Sequence, residues 1–181
     1  NDNKIIVKST QSETTFTTLD SKERKLQIDT LMICDGKNEV AIAGVMGGEN
    51  SEITSTTKNI LIESAYFNPS SIRKTSKALG LSTDASYRFE RGTDPNITKY
   101  AVERCAQLIS ELADGKIAKG IIDVYPNVIN PKEIELRFSR TTRILGYEVP
   151  AEKIRNILSR LGLALKVLND DKLLVSVPTF R

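Results

Sequence analysis

Glycines, a lone carboxylate in an apolar run and a hydroxyl-rich loop crowd into one stretch of this chain, Gly44 to Pro95. Gly44, Gly47 and Gly48 permit left-handed backbone and close approach, so exposed N–H groups there could meet a ligand or a second strand. Their spacing fits neither the dinucleotide fingerprint nor the P-loop, and a tight hairpin is the plainer alternative. Further on, NILIESAYF at 59–67 is apolar enough to predict a strand buried on at least one face, with Glu63 at its centre. Burying a carboxylate unpaired costs on the order of several kcal/mol. Glu63 therefore sits at a solvated edge, pairs with a cation, or meets a polar ligand atom. In the loop Ser82–Gly92, Thr83 and Ser86 offer hydroxyls and Ala85 leaves room beside them, while Arg88 and Arg91 could pair with Glu90, Glu63 or a phosphate. A capped turn leading into a short strand accounts for much of that loop.

The elements that must position these groups follow from pattern. Asn68-Pro69 reads as an N-cap followed by proline in the first helical turn, and Gly80 ends a helix that carries Arg73, Lys74 and Lys77 and few apolar contacts, Ile72, Ala78 and Leu79. Those cations suit a solvated face or a phosphate partner. Upstream, alternating runs at Ile5–Ser9, Thr14–Leu19, Lys25–Ile28, Thr30–Cys34 and Glu39–Ala43 predict antiparallel strands, with a hairpin turn at Asp35-Gly36. Asp94-Pro95 starts a long helix whose Ile97, Ala101, Cys105, Leu108 and Leu112 form a stripe expected to be buried, and Gly115 follows its end.

Beyond Pro126–Pro131, Glu133–Phe138 alternates like a strand and Arg140–Gly146 suits a short helix. Pro150 opens a helix with Ile154, Ile157, Leu158 and Leu161 on one side, and Leu163–Leu168 with Lys172–Val177 predict a hairpin. From Lys132 onward the charge is +4, against −1 for the residues before it, within a total of +3. So small an excess argues against stand-alone, high-affinity nucleic-acid binding, and no aromatic RNA-binding signature adds to it.

Composition excludes several chemistries. The chain has 181 residues, 39% of them hydrophobic, two cysteines and no histidine. Without histidine there is no serine–histidine triad and no cysteine–histidine nucleophile, and a zinc site cannot be assembled from Cys34 and Cys105 alone. Both cysteines are expected to be small buried hydrophobes in a reducing cytoplasm. No apolar run approaches membrane-spanning length. The start at Asn1-Asp2-Asn3 and the abrupt end at Val177–Arg181, just after a predicted strand, read as boundaries within a longer polypeptide.

These residues resemble a known family. GVMGG with SEIT, then ILIESAYFNPSSIR, then GLSTDASYRFERGTDP match in order and spacing the editing domain of the β subunit of bacterial phenylalanine–tRNA ligase, also called phenylalanyl-tRNA synthetase. IELRFSRTTRILG, ILSRLG and VPTFR resemble the small domain that follows it, so the likeness covers essentially the whole chain. It implies an α+β fold, with a mostly antiparallel or mixed sheet and packed helices, then a small helix-and-hairpin domain. The expected division is 1–125 for the C-terminal part of the editing domain, 126–131 for a linker, and 132–181 for a small basic domain truncated at its end.

The resemblance implies hydrolytic editing of tyrosine wrongly attached to tRNA(Phe). Carried over by motif, Glu63 would accept the tyrosine hydroxyl, Gly47 would form a wall allowing close approach, and Thr83 and Ala85 would face it. Gly48, Ser86 and Arg88 are weaker members, and no residue is assigned as acid or base. The family's pocket also draws on an upstream section that includes a histidine. ATP and Mg2+ are used by the parent enzyme, with phenylalanine activation on the α subunit of a cytoplasmic α2β2 assembly; no cofactor or metal is expected on this chain. A purely structural or tRNA-supporting module and a free-standing aminoacyl-tRNA deacylase are the alternative readings.

Overall fold

A computed structural model describes residues 4–181; the chain start at Asn1–Asn3 lies outside them. The fold is α+β, and every strand pairing among the described residues is antiparallel. The chain divides into two compact units. One holds the residues up to Thr93 together with Thr98–Ile117, and the other holds Asp94–Ile97 together with Ala118–Arg181.

The first unit is built from short strands of two to four residues. β1 (Ile6–Ser9), β4 (Leu31–Cys34), β5 (Glu39–Ile42) and β6 (Met46–Gly47) form a four-stranded sheet in the order β1-β4-β5-β6. β2 (Thr14–Thr17) and β3 (Glu23–Leu26) form a separate hairpin, which touches the sheet through an antiparallel bridge between Thr18 and Gly48. The β4–β5 turn closes as Asp35-Gly36 predicts: the Asp35 carboxylate accepts the Lys37 and Asn38 N–H groups at 2.7 and 2.6 Å. Those bonds, Asn38 first, hold the Asp35 pKa below its ordinary value.

Met32, Ile33, Cys34, Ile42, Ala43 and Val45 from the sheet join Phe16, Leu26, Phe67 and Ile72 in one buried core. α1 (Pro69–Leu79) begins where expected, with the Asn68 side chain accepting from the Ser70 and Ser71 N–H groups, and ends at Gly80 in left-handed backbone. Its buried side includes Thr75 and Ser76 as well as Ile72, while Arg73, Lys74 and Lys77 are exposed.

Three expectations fail in this unit. Residues 59–67 form no strand: the segment has no ladder partners among the described residues, and Ile60 and Leu61 are exposed. An apolar run can be buried, but a strand also needs a neighbour to take its N–H and C=O groups. Ser82–Gly92 does not run into a strand either, but forms α2 (Asp84–Phe89) behind a reciprocal capping box between Thr83 and Ser86. On α3 (Thr98–Ala113) no residue is buried, and Leu112 is 83% exposed. Ile97, Ala101, Cys105 and Leu108 are exposed with it, so Cys105 is open to solvent whereas Cys34 is buried as expected.

The second unit follows its pattern closely. β7 (Lys132–Arg137), β8 (Ala164–Val167) and β9 (Lys172–Val177) form a sheet in the order β7-β9-β8, with Leu173 and Val175 buried. α4 (Phe138–Leu145) has no side-chain cap of its own; the distant Asp171 carboxylate accepts from the Ser139 N–H and hydroxyl at 2.8 and 2.9 Å. Of the stripe on α5 (Ala151–Arg160) and just beyond, Ile154 is buried and Leu158 half-buried, while Ile157 and Leu161 stay exposed. Asn96 and Asp94 belong here through bonds to Thr179, at 3.0 and 2.5 Å.

Candidate functional site

The glycine-rich segment is a hairpin between β5 and β6, closed by the Val45 N–H donating to the Ile42 carbonyl at 3.0 Å. Only Gly44 of its three glycines has left-handed backbone, with φ 65°. A Cβ there would come within 2.9 Å of Phe67 and 3.0 Å of Ile72, so the bare glycine lets the turn lie directly on the core. Phe67 in turn packs edge-on against Phe89, with ring centroids 5.0 Å apart.

Gly47 and Gly48 differ. Gly48 is buried, and an added Cβ would meet the Phe16 ring at 2.5 Å and the Val40 carbonyl oxygen at 2.9 Å. Gly47 is half-buried with nothing within 4 Å of where its Cβ would lie. Gly47 thus presents bare backbone to open space, as a wall for a close-fitting ligand requires, whereas Gly48 is an internal packing position.

Thr83 is brought to this hairpin directly. Its hydroxyl donates to the Val45 carbonyl at 2.7 Å and accepts the Ser86 N–H at 3.0 Å. Ser86 is buried, and its hydroxyl accepts the Thr83 N–H at 2.9 Å and donates to the Thr83 carbonyl at 3.1 Å. The two hydroxyls are therefore engaged by protein partners rather than offered outward. That corrects the expectation that they present free donors; Ala85, on α2, is half-buried. Arg88 is exposed, and among the described residues no ion pair reaches it. Arg91, by contrast, bonds Glu90 at 2.9 Å and stacks over Tyr87.

Glu63 lies four residues before the anchored Phe67, a reach of at most about 14 Å along the chain. Among the described residues it has neither a hydrogen bond nor a cation partner, which removes the paired-carboxylate reading. Solvent reaches the residue, yet the protein around it disfavours the charged form, and this desolvation alone raises its pKa above the ordinary carboxylate value. Because the residue is exposed, the effect on stability is slight. Glu63 is thus an unpaired acceptor at a partly enclosed position.

A cleft of about 550 Å³ lies elsewhere. It is lined by Ile6, Lys8, Phe16, Asp35 and Glu39 among others and contains none of Glu63, Gly47, Thr83 or Ala85. Its charges offset one another, Lys8 lying 3.9 Å from Glu39, and it presents no unpaired carboxylate comparable to Glu63. Volume alone does not make it the better site. What motif reading missed is the support beneath Gly47: the Leu19 N–H donates to the Gly47 carbonyl at 3.0 Å, from a turn whose signal was the polar Asp20-Ser21 pair.

Residues 1–114 match the B3/4 domain and residues 134–181 the tRNA synthetase B5 domain, so the chain belongs to the B3/4 domain family and carries a B5 domain after it. Nearly its whole length is similar to phenylalanine–tRNA ligase β subunits. It is 48% identical over 180 residues to that of Salinibacter ruber, covering 99% of this chain and 22% of that protein. It is 47% identical over 178 residues to that of Geobacter metallireducens, covering 98% of this chain and 22% of that protein. The chain spans about a fifth of the length of those subunits.

Proposed function

We propose that this chain is the B3/4–B5 portion of a phenylalanine–tRNA ligase β subunit, and that its first unit contributes to a site hydrolysing tyrosine mistakenly esterified to tRNA(Phe). The observation that carries this reading is Glu63, an exposed carboxylate with no hydrogen-bond or cation partner among the described residues. A hydrophobic pocket that selects phenylalanine rejects an added hydroxyl poorly, so a second site must recognise that hydroxyl. Glu63 would accept the phenolic O–H in a charge-assisted bond about twice as strong as a neutral one. Phenylalanine in the same place would cover the charge and leave it unpaired, and such an arrangement discriminates by about 10⁴ or more.

Gly47 then supplies the wall against which the substrate lies, with Ala85 and Thr83 opposite. Hydrolysis adds water across the ester, releasing tyrosine and the free ribose hydroxyl of the tRNA. With no histidine in the chain, we assign its residues to positioning the ester and water, assisted by backbone donors and a ribose hydroxyl of the substrate. The parent enzyme would join phenylalanine to tRNA using ATP and Mg2+ on the α subunit of an α2β2 assembly in the cytoplasm. The second unit would support tRNA or the assembly.

The test is an NMR titration of this chain with tyrosine and with phenylalanine, repeated on Glu63→Ala, alongside deacylation of Tyr-tRNA(Phe) by the complete synthetase. Tyrosine-selective shifts around Glu63 that vanish in the variant, with lost deacylation, are expected. Normal deacylation by the Glu63→Ala enzyme overturns the reading. A purely structural module is the second reading, favoured by the inward engagement of the Thr83 and Ser86 hydroxyls. It predicts lower stability with unchanged editing.

A further inference from the structure

The Gly47 wall is held by a side-chain network, centred on the buried Thr18, that lies outside every motif. Thr18 is fully buried, and its hydroxyl donates to Asp20 Oδ1 at 2.5 Å while accepting from Arg24 Nε at 2.9 Å. Arg24 also donates through Nη2 to Asp20 Oδ2 at 2.7 Å, so each of the three side chains bonds the other two. Only 15% of the Arg24 side chain is exposed. Main-chain bonds close the same turn: the Thr18 N–H donates to the Lys22 carbonyl at 3.0 Å, and the Ser21 N–H donates to the Thr18 carbonyl at 2.8 Å.

The turn is fastened to the wall at consecutive residues. Leu19 donates its N–H to the Gly47 carbonyl at 3.0 Å, and Thr18 bridges Gly48. On its other side the wall is held by Gly48 N–H donating to Val40 at 2.8 Å, and by the Thr83 hydroxyl on the Val45 carbonyl at 2.7 Å. A glycine has no side chain to anchor itself, so its place is set by what its peptide groups bond. The Gly47 carbonyl bonds the turn built on Thr18, while the β5–β6 pairing sets Gly47 opposite Ala41.

We infer that Thr18, locked between Asp20 and Arg24, is a positioning residue that fixes the Gly47–Gly48 wall and through it the preference for tyrosine over phenylalanine. The inference rests on the editing reading above. Displacements of about 1 Å at a positioned site cost up to about 100-fold in rate, so loss of the network need not unfold the chain to be felt.

Thr18→Val keeps the shape and removes the hydroxyl's bonds to Asp20, Arg24 and the Lys22 carbonyl; Thr18→Ser keeps them. In this chain, Thr18→Val is expected to move the Gly47 and Gly48 amide signals while leaving those of the second unit in place. In the complete synthetase it is expected to lower kcat for Tyr-tRNA deacylation by about tenfold or more with a smaller change in KM, and Thr18→Ser to restore it. Unmoved glycine amides, or unchanged deacylation where Glu63→Ala abolishes it, overturn the inference. If Glu63→Ala also leaves deacylation intact, the editing reading itself has failed and this inference falls with it, whatever the amide signals show. Should Thr18→Val fail to fold, Asp20→Asn loosens the same network from its exposed end and is judged by the same two readouts.

Discussion

Two adjacent glycines should respond in opposite ways to one added methyl group. In Gly48→Ala the new Cβ would stand 2.5 Å from the buried Phe16 ring, 2.7 Å from Asn50 Oδ1 and 2.9 Å from the Val40 carbonyl oxygen. The Asn50 side chain can swing away, but the Val40 carbonyl is main chain within β5 and accepts the Gly48 N–H. Overpacking of this kind costs about 1–3 kcal/mol. The backbone at Gly48, φ −89° and ψ 148°, suits alanine, so reduced freedom of the unfolded chain returns about 0.4–1 kcal/mol. A net loss of about 1–2 kcal/mol lowers Tm by roughly 5–10 °C for a domain of this size.

Gly47→Ala meets nothing within 4 Å, and its backbone lies outside the left-handed region. Its Tm is expected to stay level or rise slightly. The methyl group occupies the open space the substrate would use, so tyrosine binding and Tyr-tRNA deacylation should fall while stability holds. Thermal unfolding of both variants, followed by circular dichroism, gives the first half, and deacylation by the complete synthetase gives the second. Equal destabilisation of the two variants would refute the hairpin geometry. A Gly47→Ala enzyme that still edits normally would refute the wall.

Glu63 has a folded pKa raised above its unfolded value, so its protonated form is favoured in the fold. That contribution to stability is present below the unfolded pKa and lost as pH rises through the folded pKa. Glu63→Gln should remove this slope from denaturant titrations taken through the ordinary carboxylate range and just above it. Tyrosine binding has the opposite trend, strengthening as the carboxylate ionises, and a tyrosine affinity that does not change across that range would exclude Glu63 as its acceptor. Thr83→Val loses both the cap of α2 and the bond to Val45, at a cost of about 2–3 kcal/mol, whereas Thr83→Ser should retain most of it; equal stability of the two by urea denaturation would show that the hydroxyl is not the tie. Under native conditions a thiol reagent should label exposed Cys105 quickly and spare Cys34, whose burial also raises its pKa, until the chain unfolds; equal labelling rates read by mass spectrometry would contradict the buried sheet.

Much of the fold was legible because it is local. The strands at Ile6–Ser9, Leu31–Cys34 and Glu39–Ile42 lie within the alternating runs, and Asp35 and Asn68 act as a turn and a cap through bonds to residues two or three positions away. Errors came where a neighbour had to be supplied. The 59–67 run has strand composition but no ladder, and Leu108 and Leu112 on α3 keep helical spacing without a covering surface among the described residues. Periodicity names the face that would be buried and says nothing about what buries it. α2 was missed for a smaller reason: its capping box closes with Ser86 in place of the usual Glu or Gln.

At the candidate site, sequence by itself determined the chemical types: a carboxylate at position 63, glycine at 47 and 48, and hydroxyls at 83 and 86. It also carried the family, since the motifs run in order along the chain. Tertiary structure alone decided how each group is used. The Thr83 hydroxyl turns to a carbonyl 38 residues earlier in the chain, Glu63 is left without a partner among the described residues, and Gly47 faces open space while Gly48 does not. Those outcomes depend on which atoms lie within about 3 Å once the chain has closed on itself, and a hydrogen bond or a steric contact is decided at that range.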